Sequence, residues 1–158
     1  MIKFLIKISF LSLILMVISC GYSPIFTQKN YNFEIDDVIF NGEKEINKII
    51  ENRLNIIQKN KGVSKKKYNL NIYSEKKRNI VSKDSKGDPL KYEMIITIEY
   101  KISNNGEMLL EREIKKGNIY NNDNDLFELE QSEKIIIENI SGNLGDNIIS
   151  AIINLNDN

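Results

Sequence analysis

The sequence has no histidine, no tryptophan and one cysteine, Cys20, among its 158 residues. A Ser-His-Asp triad, a Cys-His pair and the common zinc sites need imidazole or several thiolates, so these sites are excluded. A single cysteine forms no disulfide within the chain, so packing must hold the fold. The glycines are scattered and form no phosphate-binding loop. We therefore expect no enzymatic activity, no metal and no soluble cofactor.

Two acidic groups have structural rather than catalytic interpretations. Asp36 and Asp37 are adjacent on a predicted strand, so their side chains are expected on opposite faces, whereas glycosidase chemistry needs two carboxylates that converge. The run at 123–125 (Asp-Asn-Asp) has calcium-type ligands but lacks the glycine and the spaced glutamate of a calcium loop. We interpret it as the start of a helix, with Asp125 and Glu128 spaced as in a capping box.

An excess of charge of one sign is also lacking. The whole chain has 22 basic and 22 acidic residues. The first 19 residues include Lys3 and Lys7 and no acid, so the remaining 139 residues have 20 basic and 22 acidic side chains. This balance does not indicate a nucleic-acid partner, because nucleic-acid binding depends on neutralising phosphates.

The N-terminus has the layout of a secretory signal peptide. Two lysines precede an apolar run over residues 8–18, and the small Ser19 stands before Cys20. Val17–Cys20 resembles a bacterial lipobox, in which the cysteine receives a diacylglycerol and, after cleavage, an N-acyl chain. The alternatives are a transmembrane helix and a cleaved signal with an accidental cysteine. The run of 11 residues is short of the about 20 that a membrane span needs.

Acylation at Cys20 would attach the protein to a membrane permanently. Each buried methylene contributes about 0.8 kcal/mol, so three acyl chains together make dissociation negligible. We predict a cleaved signal peptide at 1–19, an acylated tether at 20–31 and one α+β domain at 32–158, a length typical of a single domain.

Apolar spacing predicts the order strand, helix, strand, strand, strand, helix. Alternation predicts strands at 33–40, with Ile39 facing inward, at 68–73, at 92–103 and at 108–114, the last extending toward Tyr120. Residues 76–86 are polar and are expected to form a loop or a ragged strand extension. Three- and four-residue spacing predicts helices over 43–60, stopped by Gly62, and from about 125 to the C-terminus. Two glycines at 142 and 145 leave a kink or a break in that last helix open.

These elements predict an α+β fold: a single, mostly antiparallel four-stranded sheet with two helices packed on one face (β-α-β-β-β-α). Each helix has one apolar stripe and each strand one apolar face, so one covered sheet face buries them all. The opposite face should be wet or should meet a polar partner.

Two basic clusters are the remaining candidates for ligand contact. One precedes the second predicted strand and the other follows it, so we place them at opposite ends of that strand. Solvated loop residues are one interpretation; contact with the phosphates of an anionic glycolipid is the other. The candidate residues are Lys65, Lys66, Lys67, Lys76, Lys77 and Arg78.

Three segments match the pattern of one lipoprotein family. At the acylation site that family commonly has Cys-Gly, an aromatic residue, any residue, proline, an apolar residue and an aromatic residue, which here is Cys20-Gly21-Tyr22-Ser23-Pro24-Ile25-Phe26. Its Tyr-x-Leu-x-Ile strand is matched by Tyr68, Leu70 and Ile72. The strand with Tyr100-Lys101-Ile102, followed by a turn at Gly106, is also similar. On these residues the chain resembles the lipopolysaccharide-assembly lipoprotein family LptE, especially its alphaproteobacterial form.

The resemblance implies a role without catalysis. Such proteins sit on the periplasmic face of the outer membrane, plug an LptD-type β-barrel and help it deliver lipopolysaccharide. The implied partners are that barrel and lipopolysaccharide, and the only bound groups are the diacylglycerol and N-acyl lipid on Cys20. The competing hypotheses are an auxiliary lipoprotein of another lipid or efflux transport system, and a ligand-binding module or enzyme.

Overall fold

The computed structural model describes residues 33–58 and 66–157. Its elements are β1 (Phe33–Gly42), α1 (Lys44–Gln58), β2 (Lys66–Lys83), β3 (Pro89–Asn104), β4 (Glu107–Asn121) and α2 (Leu126–Asp157). This is the predicted order of elements. The proposed signal peptide, the tether with Cys20, Gly62 and Lys65 all lie outside the described residues, so the predictions made for them remain predictions.

The four strands form one sheet in the order β1-β2-β3-β4. β1 pairs with β2 in parallel, whereas β2 with β3 and β3 with β4 are antiparallel. A parallel pair needs a crossover between its strands, and α1 lies in that connection. The predicted α+β fold, with a mostly antiparallel sheet and two helices, is confirmed.

The core lies between one face of the sheet and both helices. Inward positions alternate along β2 and β3, as expected for a sheet covered on one face. The core residues with no exposed surface are Ile46, Ile50, Ile72, Ile96, Ile98, Ile102, Leu144, Ile148 and Ile152. Within the described part of the chain, neither helix is both long and apolar enough to cross a membrane.

A β-bulge changes which residues of β1 face the core. Ile35 pairs with Tyr68 and Asp37 pairs with the next residue of β2, so Asp36 is an extra residue in β1. The bulge shifts the alternation, and Val38 and Phe40 then pack against the core. The prediction that Ile39 faces inward is wrong, because this shift leaves its side chain 52% exposed.

The second strand is much longer than its apolar pattern. β2 continues to Lys83, which pairs with Pro89 at the start of β3. Of the two predictions for residues 76–86, the strand extension is therefore correct up to Lys83. β4 likewise reaches Asn121, which confirms its predicted extension toward Tyr120.

The last helix is continuous through both of its inner glycines. A Cβ atom at Gly145 would lie 3.2 Å from Arg53 Cβ and 3.8 Å from Ile50 Cα, so α1 and α2 approach closely there. At Gly142 the neighbouring group is the guanidinium of Arg53. The glycines therefore allow two helices to touch, and they do not break the second one.

Candidate interaction surface

The described residues offer surfaces rather than an enclosed site. No group of three or more histidine, cysteine or acidic residues among them could hold a metal ion. A cleft of about 430 Å³ beside Asn47 is open to solvent. The basic residues singled out in the sequence are therefore the first candidates for ligand contact.

Lys66 and Lys67 lie at the start of β2, where α2 ends. Lys66 Nζ donates a hydrogen bond to the main-chain oxygen of Asn156 at 3.2 Å. Lys67 Nζ is 3.3 Å from Asp36 Oδ1, and both side chains of this pair are more than half exposed. An exposed ion pair of this kind contributes at most about 1 kcal/mol, so Lys67 can exchange Asp36 for another anion.

The second basic cluster lies in the middle of β2. Lys76 pairs with Ile96 and Arg78 with Met94, so the prediction that these residues follow the strand is wrong. The apolar alternation stops before them although the pairing does not. Nine residues separate Lys67 from Lys76, about 30 Å along a strand, so one lipid headgroup cannot contact both clusters.

This second cluster is divided between the two sheet faces. Lys76 and Arg78 alternate with Lys77, so they point toward the helix-covered face while Lys77 points to the open face. Each has an acidic neighbour, and the ion pairs are Lys76–Glu45 at 3.7 Å, Lys77–Glu75 at 3.1 Å and Arg78–Glu133 at 2.8 Å. Lys77 is the most exposed of the three, at 63% of its side chain.

Arg78 belongs to a small network under the first turns of α2. Its Nη1 donates to Glu133 Oε1 at 2.8 Å, and the Tyr120 hydroxyl donates to the same oxygen at 2.5 Å. The guanidinium carbon lies 4.7 Å from the ring centre of Tyr92, a cation–π distance. An anionic ligand would have to displace Glu133 to bind Arg78.

Ionisation in this network follows from its contacts. The hydrogen bond to Glu133 is the main cause that raises the pKa of Arg78. Burial, followed by the hydrogen bond to Glu133, raises the pKa of Tyr120 well above its usual value. The phenol therefore stays a neutral donor throughout the physiological range.

Sequence reasoning missed Tyr92, Tyr120 and Glu133 as partners of Arg78. One indication was available: Glu133 lies four residues after Leu129 and three before Ile136, so it occupies the apolar stripe of the predicted helix. An acid in such a stripe indicates a buried cation or hydroxyl opposite it. Arg78 could be identified as the cation opposite Glu133 only once β2 was seen to extend past Ser74.

The turn at Gly42, after β1, determines how much of β2 has a neighbouring strand on that side. Gly42 has φ of +90°, and a Cβ atom there would lie 1.9 Å from the main-chain oxygen of Ser74. The buried Ser74 hydroxyl accepts a hydrogen bond from Glu43 N at 2.9 Å and donates one to Asn47 Oδ1 at 2.7 Å. Asn47 Nδ2 donates to Asn41 O at 3.1 Å. The chain is thus turned out of the sheet beside Ser74, halfway along β2.

Comparisons with known proteins give a fold but no family. No family model matches the chain, and no curated protein matches it. Among solved structures, rare lipoprotein B of Shewanella oneidensis superposes with a TM-score of 0.59 at 16% identity, covering 76% of this chain and 96% of that one. The fold is shared with bacterial lipoproteins.

Two further lipoproteins superpose in the same way. A minor lipoprotein of Acinetobacter baumannii gives a TM-score of 0.52 at 13% identity, covering 75% of this chain and 94% of that one. Lipoprotein B of Nitrosomonas europaea gives a TM-score of 0.54 at 12% identity, covering 81% of this chain and 87% of that one. At these identities the likeness concerns the fold alone.

Proposed function

We propose that this protein is an outer-membrane lipoprotein, held on the periplasmic face by acyl chains on Cys20. In this proposal it has no catalytic activity and acts as plug and assembly partner of an LptD-like β-barrel that delivers lipopolysaccharide. The observation that carries the proposal is the segment Cys20–Phe26, with its Cys-Gly-aromatic-x-Pro pattern, ahead of a fold shared with bacterial lipoproteins.

The sheet face opposite the two helices, called the open face here, has the chemistry that a plug needs. The lumen of a wide barrel is polar, so a plug needs a compact core beneath a charged, hydrogen-bonding exterior. The open face carries charged side chains in alternate positions of β3 and β4, including the ion pair of Lys101 with Glu111 at 2.7 Å. The core is buried on the other face, so the open face can meet a polar wall without loss of stability.

Isolation of the partner tests this function. Full-length acylated protein, extracted in mild detergent and identified with its bound proteins by mass spectrometry, should carry one dominant β-barrel. Depletion should leave that barrel misassembled and surface lipopolysaccharide reduced. Normal barrel assembly after depletion would refute the proposal, and a dominant inner-membrane transporter would favour the auxiliary-lipoprotein alternative.

Two measurements on the N-terminus test the anchor. Intact-mass analysis should show a chain that begins at Cys20 and carries a diacylglycerol and an N-acyl chain. The Cys20→Ser variant should leave the membrane fraction. A wild-type chain that keeps its first 19 residues would contradict the proposed processing.

Lipopolysaccharide contact is proposed for the basic residues 65–67 and 76–78. The exposed Lys67 and Lys77 are the best placed, whereas Arg78 is held by Glu133. Lys67→Glu and Lys77→Glu should each weaken lipopolysaccharide binding, and salt should weaken wild-type binding, because the attraction is electrostatic. Lys115→Glu on β4 is a charge-matched control. An affinity insensitive to salt and to both variants would leave these lysines as solvated residues.

A further inference from the structure

We propose that the outer edge of β2 over residues 75–83 binds an extended, acidic segment of a partner protein by strand addition. In this binding mode a peptide joins the edge of a sheet through main-chain hydrogen bonds. The inference concerns this edge alone and does not require the partner to be an LptD-like barrel.

The edge exists because the two neighbours of β2 differ in length. β3 pairs with β2 as far as Lys83, whereas β1 ends at Gly42, beside Ser74. Residues 75–83 therefore have β3 on one side and, within the ranges that the structure describes, no strand on the other. Nine strand residues span about 30 Å, enough for an added strand of ordinary length.

The direction of the unpaired groups follows from Ser74. Its main-chain oxygen accepts a hydrogen bond from Glu43 N at 3.2 Å, so the Ser74 carbonyl points toward β1. Successive residues of a strand direct their N–H and C=O groups to opposite sides. The main-chain groups of Lys76, Arg78 and Ile80 therefore point away from β3, with three donors and three acceptors spaced for one strand.

The first helix meets this edge at its start, where Glu45 lies 3.7 Å from Lys76, and does not follow the edge further. α1 leaves the sheet beside Ser74 and must return toward Phe33, because β2 starts next to Phe33 and runs parallel to β1. Residues 77–81 are all exposed, including Ile80 at 49% and Val81 at 47%. Exposed β-branched residues on an open strand are typical of a surface that receives another strand.

Charge selects the occupant. Residues 75–83 contain four basic side chains and one acidic one, a net charge of +3, whereas β4 at the other edge has three of each. A second copy of this chain, paired β2 to β2, would place like charges opposite each other, which destabilises a sheet. An acidic extended segment of another protein would meet complementary charge. The bulges at Val81 in β2 and Leu90 in β3 limit regular pairing to residues 75–80, which is still the length of an ordinary strand.

Photocrosslinking of the full acylated chain in its own cells tests the site. A benzophenone residue at Asn79 should crosslink to one extended, acidic segment of a partner, whereas the same group at Glu113 on β4 should not give that product. The decisive variant is Ile80→Pro: it removes an outward N–H that the sheet does not use, so the fold should persist. Crosslinking should fall about tenfold or more, while Ile80→Val should retain it.

A second variant avoids any change to the backbone. Lys77→Glu with Lys83→Glu should also reduce the crosslink, and Lys115→Glu with Lys116→Glu should not. Crosslinking that Ile80→Pro leaves unchanged, a product joining two copies of this chain, a product with residues 20–32, or no product would each overturn the proposal. A crosslinked segment from a protein other than a barrel would support this edge while counting against the proposed function.

Discussion

Two glycines with the same backbone conformation are held to different degrees by their surroundings. Gly42 has φ of +90° and Gly87 has φ of +94°, both in the region that favours glycine. A Cβ atom at Gly42 would collide with the Ser74 carbonyl, whereas one at Gly87 meets nothing within 4 Å. Backbone strain is therefore common to both, and the collision belongs to Gly42 alone.

We expect Gly87→Ala to lower the free energy of unfolding by about 1–2 kcal/mol, the cost of the left-handed conformation. Gly42→Ala should cost about 3 kcal/mol or more, because the main chain beside Ser74 must also move. Urea unfolding followed by circular dichroism measures both. Equal losses in the two variants would show that the corner after β1 is not as tightly packed as the distance indicates.

Two buried serines differ in whether their hydroxyl groups have hydrogen-bond partners. The Ser74 hydroxyl bonds Glu43 and Asn47, so Ser74→Ala leaves buried groups unpaired and should cost about 1–3 kcal/mol. Ser141 Oγ is buried and has no hydrogen-bond partner in the described chain. Ser141→Ala should leave the free energy of unfolding unchanged or raise it by about 1 kcal/mol. A loss at Ser141 as large as that at Ser74 would contradict this assignment.

At the scale of elements, apolar periodicity in the sequence showed which strand residues are buried more reliably than it showed how far the strands pair. Tyr68, Leu70 and Ile72 alternate because α1 and α2 cover them, and the sequence located this half of β2. Lys76 and Arg78 occupy the same inward positions further along, where their charges are tolerated because both side chains are partly exposed and pair with Glu45 and Glu133. The strand continues there through pairing with β3, which leaves no apolar pattern in the sequence.

The same limit explains the errors at single positions. The bulge at Asp36 exposes Ile39, but the alternation of apolar and polar residues in the sequence shows no sign of the bulge and could not locate it. The network of Arg78 joins three elements that are distant in the sequence, and only their packing brings them together. The helices, by contrast, were predicted well, because their stripes extend over several turns.

The contact between the helices predicts different results for its two glycines. At Gly142 an added methyl would meet only the end of the flexible Arg53 side chain, at 3.1 Å from Nη2. Gly142→Ala should therefore raise the free energy of unfolding by up to about 1 kcal/mol through helix propensity. At Gly145 the neighbours are Arg53 Cβ and the α1 backbone, so Gly145→Leu should cost about 1–3 kcal/mol. Thermal unfolding of both variants tests this; a destabilised Gly142→Ala would contradict it.

Two buried tyrosines and the partly buried Tyr120 make the free energy of unfolding depend on pH in the alkaline range. Burial raises the pKa of Tyr68, Tyr100 and Tyr120 above the ordinary value of 10.0. Their contribution is complete below pH 10 and is lost as the pH rises toward the folded-state pKa values, because the unfolded chain releases its protons first. The free energy of unfolding should fall above pH 10, and Tyr120→Phe should make that fall shallower. Urea titrations between pH 8 and 11 measure the slope; an unchanged slope would refute the role of Tyr120.

The whole molecule has two unequal halves around one core. In the half near Phe33 both helices cover a four-stranded sheet. In the half beyond Ser74 the sheet has three strands, and there Glu133 of α2 pairs with Arg78 while Glu45 at the start of α1 pairs with Lys76. The sequence predicted the fold because the first half contains most of the apolar side chains. The edge of β2 at residues 75–83 lies in the second half, where polar residues carry no such pattern.

The core depends on the C-terminal half of α2, and truncation of the chain tests this dependence. A chain that ends at Ser141 loses Leu144, Ile148 and Ile152, all with no exposed surface. Three such side chains contribute about 5–9 kcal/mol, comparable with the about 5–15 kcal/mol by which a whole domain is stable. The shortened chain should show no cooperative unfolding transition. A chain that ends at Leu155 keeps the buried core residues through Ile152 and loses the exposed end of the helix with the bond from Lys66 to Asn156, so it should unfold almost as the full chain does. A cooperative transition in the shorter chain would show that β1 to β4 and α1 fold without the second helix.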